Sequence, residues 1–138
     1  MSKNYLKDLV ACIGDPMNGN PTSVMEDAGF SELGLNWHCI TICVPKDRLA
    51  EAFTGFNAMN FRGLGVTEPH KRSIIPLLDE ITPAADIIGA VNAVSNRNGY
   101  WVGDNTDGRG IVAALNAMKF PIEGKTVTVL GANSHARA

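Results

Sequence analysis

The stretch GVTEPHK, residues 65–71, sets a hydroxyl, a carboxylate, an imidazole and an amine within seven positions, a mixture that no apolar core requires. An amine held beside an acid can pass a proton to or from a substrate oxygen, and such help is typically worth about 10²–10⁴-fold in rate. Lys71 is the candidate amine, with Pro69 restraining the backbone just upstream and Thr67 adding a hydroxyl. Taken singly, such a lysine reads first as a solvated surface side chain. GDNTDG, residues 103–108, is a second polar cluster, whose residues suit a turn and whose Thr106 or Asp107 suits a helix cap. Asn92, within GAVNAV, is a third. An amide among apolar residues is costly unless paired, so it ties a loop or meets a polar ligand.

The elements that must position these groups alternate between strand and helix. LVACIGD (9–15) reads as a buried strand, followed by a helix over 20–35 that opens at Asn20-Pro21 and stops near Gly34. WHCITICV (37–44) is strand-like, and after Pro45 a helix carries Leu49, Ala52, Phe53 and Phe56 on one face. FRGLGV (61–66) is a third strand, so Thr67 and Lys71 fall near a strand's C-terminal end, where open α/β sheets place their ligand crevices. A helix over 71–81 interrupted at Pro76 follows, then one from Thr82-Pro83 to Gly89 and a hairpin about Asn98-Gly99. A helix over 108–120, with Ile111, Leu115 and Met118 on one stripe, and a strand over 125–131 complete the reading. Alternation of this kind predicts an α/β domain with a largely parallel sheet.

At 138 residues, 45% hydrophobic and 19% charged, the chain has the length and composition of one ordinary globular domain. Its net charge of -2 lacks the basic excess that nucleic acid or membrane surfaces attract, which leaves small molecules or proteins as partners. Cys12, Cys39 and Cys43 form no C-x-x-C pair, so no metal site is expected. The apolar run LVACI is too short for a signal-peptide core or a membrane span, and the chain reads as cytoplasmic and reduced.

In order, VTEPHK, IGAVNAV, GDNTDG and a strand ending VLGAN resemble the shikimate dehydrogenase family, with the likeness running from about Gly14 to Ala138. The resemblance implies a three-layer α/β domain over 1–120, a mainly parallel sheet flanked by helices, with 121–138 as the truncated start of an NADP-binding Rossmann-type domain. It implies NADP-linked interconversion of 3-dehydroshikimate and shikimate in aromatic amino acid (chorismate) biosynthesis, with NAD as the alternative nicotinamide. Lys71 and Asp107 would be the catalytic pair, and Thr67 and Asn92 would contact substrate hydroxyls. His70 is read as structural. The substrate would be a cyclic polyhydroxy carboxylate, and the likeness leaves room for a homodimer.

The chain departs from the family pattern in three places. Asn18 and Asn20 stand where a S-x-S-P turn would hold the substrate carboxylate, and they are assigned that contact. Gly65 replaces an Asn, and Glu68 an apolar residue. The cofactor loop, Gly131, Ala132, Asn133 and Ser134, carries Asn and Ser in place of two glycines. A strand without the helix that should follow it reads as a fragment, expected not to turn over alone. A quinate or aminoshikimate dehydrogenase paralogue and a non-catalytic binding module on the same fold are the alternatives. A methylene-tetrahydrofolate dehydrogenase relative would leave NTDG unexplained.

Overall fold

The run DLVACIG becomes β1 (Asp8–Gly14) in the computed structural model, which describes residues 5–138. It pairs in parallel with β2 (Trp37–Cys43), Asp8 opposite Trp37, and with β3 (Gly63–Val66), Val10 opposite Gly63. A strand flanked on both edges and covered on both faces carries a continuous apolar sequence rather than an alternating one. The period of two survives in the packing: Ala11 and Ile13 enter the main core, whereas Cys12 joins Met17 and Cys39 in a second cluster.

α1 (Thr22–Glu32) connects β1 to β2, and a 3₁₀ turn, Lys46–Arg48, with α2 (Leu49–Ala58) connects β2 to β3. The apolar stripe of α2 faces the core as its spacing predicts. Leu49 and Phe56 are buried, Phe56 meets Phe61 edge-on at 5.0 Å, and Phe53 lies 5.0 Å from Trp101 between ring centroids. The expected helix over 71–81 instead breaks into α3 (His70–Ser73), a 3₁₀ turn, Ile75–Leu77, and β4 (Glu80–Ile81). Pro76 is the reason, because its ring clashes with the preceding turn and it has no N–H to donate.

α4 (Pro83–Ile88) keeps its expected ends: the Thr82 side chain accepts the Ala85 N–H, and Gly89 closes the helix at φ 69°. β5 (Ala93–Arg97) and β6 (Tyr100–Asp104) form the hairpin. Asn98 and Gly99 take φ of 56° and 92°, the paired positive values that the tight hairpin turn needs. α5 (Asp107–Ala117) and the short α6 (Ser134–Arg137) follow.

The strands lie in the order β2-β1-β3-β5-β6-β4. The α/β class holds, and the sheet is mixed: β1–β2, β1–β3 and β4–β6 are parallel, while β3–β5 and β5–β6 are antiparallel. The strand expected over 125–131 is absent. Val127, Val129 and Leu130 are exposed there, and none of the described strands pairs with them. Sequence supplies strand propensity, but a strand exists only where a neighbour takes its backbone hydrogen bonds. No described helix is long and apolar enough to cross a membrane.

Candidate functional site

The parallel pairing of β1 and β3 brings their C-terminal ends side by side, and the chain turns from there into α3. Thr67 is tied down at that turn: its N–H donates to the Ile13 carbonyl at 2.8 Å and its hydroxyl to the same oxygen at 3.1 Å. A Cβ at residue 14 would lie 1.9 Å from the Thr67 Oγ1, so Gly14 is what lets the two strand ends close up. His70 is fully buried, and its Nε2 donates to the Val44 carbonyl at 2.7 Å, pinning α3 to the chain just beyond β2. That agrees with a structural role for this imidazole. Val91 N–H donates to the Lys71 carbonyl at 2.7 Å, which fixes the same turn from the other side.

Held this way, the Lys71 side chain is only 4% exposed. Its Nζ donates to Asp107 Oδ2 at 2.6 Å, a charge-assisted bond at the short end of the usual range. Thr106 stands at the N-cap position of α5, as expected, but makes no side-chain cap bond. Buried Asn105 instead accepts the Asp107 N–H at 3.0 Å and donates to the Ala90 carbonyl at 3.0 Å. Asn92 closes the network. It donates to Asp107 Oδ1 at 2.7 Å and to the Thr106 hydroxyl at 3.0 Å, and accepts the Thr106 N–H at 2.9 Å. The cost of a polar amide in that apolar stretch is met in full by these bonds.

Thr67, Lys71, Asn92 and Asp107 line one open cleft of about 770 Å³, which Phe30 and Trp37 also line. Asp104 also lines it. Burial works against the Asp104 carboxylate. Bonds from the Thr82 hydroxyl, the Arg109 guanidinium and the Asn105 N–H outweigh that and hold its carboxyl below the usual range. Gly65 lines the cleft as well, and a Cβ there would make ordinary contact with Cys12 Sγ at 3.5 Å, so packing alone does not demand glycine.

The other expected residues do not converge on this cleft. Asn18 is exposed, and the Asn20 side-chain Oδ1 accepts the Thr22 N–H at 2.9 Å, which occupies it in starting α1. Neither lines the cleft, so the assignment of both to a substrate carboxylate finds no support in their placement. Ala132, Asn133 and Ser134 border a separate hollow of about 160 Å³ with Glu68, Arg72 and Gly89. Asn133 caps α6 by accepting the Ala136 N–H, and the buried Ser134 hydroxyl donates to Glu68. Two of the positions at which the sequence leaves the family pattern therefore meet each other.

Two residues of the site escape the sequence reading. Asn105 hides in NTD, where the neighbouring Thr and Asp look like equally good caps. His135 has its Nε2 3.1 Å from Lys71 Nζ and 3.7 Å from Asp107 Oδ2. Its signal was an imidazole directly after the altered loop Gly131–Ser134.

The family pattern for the shikimate dehydrogenase substrate binding domain matches residues 12–94. The chain belongs to the shikimate dehydrogenase family. It is 44% identical to the shikimate dehydrogenase (NADP(+)) of Desulforamulus reducens over 136 residues, which is 98% of this chain and 47% of that protein. The chain thus spans about half the length of the relatives it matches. Among solved structures, shikimate dehydrogenase from Aquifex aeolicus superposes with a TM-score of 0.92 at 35% identity, covering 99% of this chain and 51% of that one. The ligand-free 5-ketofructose reductase of Gluconobacter sp. strain CHM43 superposes with a TM-score of 0.79 at 37% identity, covering 83% and 41% respectively.

Proposed function

We propose that this chain is the substrate-binding and proton-exchanging part of an NADP-linked shikimate dehydrogenase-type oxidoreductase. The observation that carries the reading is the Lys71–Asp107 pair, 2.6 Å apart and nearly closed to solvent, on the wall of a cleft wide enough for a small polyhydroxy ring. An ammonium has three donors. One goes to Asp107 and one to His135, which leaves one for a ligand oxygen in the cleft. Asp107 orients the ammonium, and Asn92 orients Asp107 in turn. Thr67 and Asn92, lining the same cleft, are within reach of a substrate's hydroxyls.

In this reading Lys71 gives a proton to the carbonyl oxygen during reduction and takes it back during oxidation. A nicotinamide cofactor, when bound, supplies or accepts the hydride. The described residues do not fit such a cofactor by themselves. The Ser134 hydroxyl is committed to Glu68, whose carboxylate would stand beside a pyrophosphate. The loop that should bind it follows an unpaired segment over 125–130. The 138-residue chain is therefore expected to bind substrate without turning it over. Clear NADP-dependent turnover by this chain alone would refute that.

The decisive test is Lys71→Ala in an intact enzyme carrying this chain. Turnover should fall by about 10²-fold or more with little change in substrate affinity, the pattern of a group that acts in the transition state. Unchanged turnover would remove Lys71 from the role. Because Asn18 and Asn20 do not line the cleft, and a 37%-identical protein is a 5-ketofructose reductase, the substrate panel should pair shikimate with that neutral sugar. Binding of 5-ketofructose and not shikimate would move the substrate class while leaving the proton chemistry in place.

A further inference from the structure

His135 makes a contact that orientation of Lys71 does not require, since Asp107 already holds the ammonium. We propose that His135 is a proton-relay residue, positioned to carry protons between Lys71 and solvent. The proposal rests on the reading that Lys71 exchanges a proton with a substrate oxygen.

The problem it answers is burial. The side chains of Lys71 and Asp107 are 4% and 17% exposed, so with substrate filling the cleft, bulk water has little access to the Lys71 amine. His135 lies at the border of the same cleft, its side chain is 56% exposed with the cleft empty, and its Nε2 lies 3.1 Å from Nζ. Imidazole can accept a proton on one nitrogen while releasing another from the opposite side of the ring, which neither a carboxylate nor an amide does.

The lysine ammonium donates to Nε2, and that puts the ring's own proton on Nδ1, away from the lysine. For alcohol oxidation the ammonium first passes a proton to Nε2 while the Nδ1 proton leaves to water, and the amine so formed takes the substrate hydroxyl proton. The ring is left neutral with its proton on Nε2, and proton exchange with water returns it to the Nδ1–H form before the next oxidation. During reduction each transfer runs backwards: water protonates Nδ1, and the Nε2 proton passes to the amine that gave its own to the carbonyl oxygen. No proton is created or lost in either direction.

The segment that bears the ring is anchored on both sides. On one side of His135 the buried Ser134 hydroxyl donates to Glu68. On the other the Arg137 guanidinium packs over Gly89, where an added Cβ would come within 3.1 Å of Nη2. The two departures Glu68 and Ser134 thus acquire a use, since together they fix the segment that bears the imidazole.

The test needs no cofactor. Exchange of the Lys71 Nζ protons with water is read by ¹⁵N NMR on the 138-residue chain. His135→Ala should slow that exchange by about tenfold or more, and added free imidazole should restore it. His135→Gln keeps a hydrogen-bonding side chain and much of the cover but cannot relay, so it should be slow as well. A side chain that merely shields Lys71 predicts the opposite, since its removal would speed exchange. Exchange that is unchanged or faster in His135→Ala, or fast in His135→Gln, overturns the relay. In the intact enzyme the same variants should lower kcat and leave KM in place. If Lys71→Ala keeps full turnover, the functional reading falls whatever the exchange rates show, so the two failures are separable.

Discussion

Lys71 and Asp107 stabilise each other unequally, and the asymmetry can be measured. Removing the charge from one member of a buried pair leaves the other desolvated and unpaired, typically at about 3–5 kcal/mol. Lys71 is the more buried of the two, whereas Asp107 retains Asn92 and some solvent. Asp107→Asn should therefore lower the urea midpoint by the equivalent of about 3 kcal/mol or more, with Lys71→Met costing clearly less. Equal losses would mean that the pair is effectively solvated. The cysteines divide just as plainly. Burial raises the Cys12 thiol and pushes Cys39 up to about 11, whereas Cys43 is exposed and its thiol is raised chiefly by its bond to Asp15. Iodoacetamide at pH 8 should label Cys43 slowly and leave Cys12 and Cys39 untouched until the chain unfolds, as mass spectrometry of digests would show. Of these residues, Lys71 and Asp107 were legible as a pair only through ordered motifs, because 36 positions separate them and nothing local links the two.

Elements that rest on local chemistry were legible, and those that rest on distant partners were not. The hairpin at Asn98-Gly99 and the caps at Thr82 and Gly89 follow from two or three adjacent residues, and all three appear as read. β4 is two residues long and exists because β6, some twenty positions later, accepts it in parallel. No periodicity can announce that. The start of α5 at Thr106 was legible, but the side chain that accepts its first N–H was not: Asn105 also reaches the Ala90 carbonyl, a contact 15 positions away. Asn105→Ala should accordingly cost about 1–3 kcal/mol, more than loss of an exposed cap, because the buried Ala90 carbonyl is left unsatisfied. Acid should act on elements as well. The Cys39 N–H, with His38, holds the Asp27 carboxyl below its usual range and ties α1 to β2, as Thr82, Arg109 and Asn105 do for Asp104 at the end of β6. Both folded-state values are depressed, so the stabilisation is complete above the unfolded carboxylate value near about 4 and is lost as pH falls through the lower folded values. Thermal melts between pH 5 and pH 2 should show Tm falling with pH, and Asp27→Asn together with Asp104→Asn should flatten that slope.

At the scale of the whole molecule, packing is uneven, and the unevenness falls along the chain. From β1 to β6 apolar residues form one main core and a smaller cluster, although Val24, Met25, Leu33, Met59 and Ile87 stay exposed, and the polar network around Lys71 adjoins that core. Beyond β6 no described apolar residue enters either cluster: Ile111, Val112, Met118, Phe120, Val127, Val129 and Leu130 are all exposed. Of the expected stripe, Ile111 and Leu115 lie on α5 and Met118 is its C-cap; Ile111 and Met118 are exposed, and no described element covers them. Exposed apolar surface on that scale marks a face that another surface should cover, and left open it favours dye binding and self-association. We expect the isolated chain to bind an apolar fluorescent dye while still folded, with intact near-UV dichroism from Trp37 and Trp101. Polar replacement of Met118, Phe120 and Leu130 together should abolish most of that signal. On the proposed function, it should leave shikimate affinity by calorimetry unchanged, since none of the three lines the cleft. Dye binding that survives the triple replacement would place the exposed apolar surface elsewhere. A loss of shikimate binding in that variant would show that the two halves of the chain are coupled, so that the cleft depends on how the α5 face is covered.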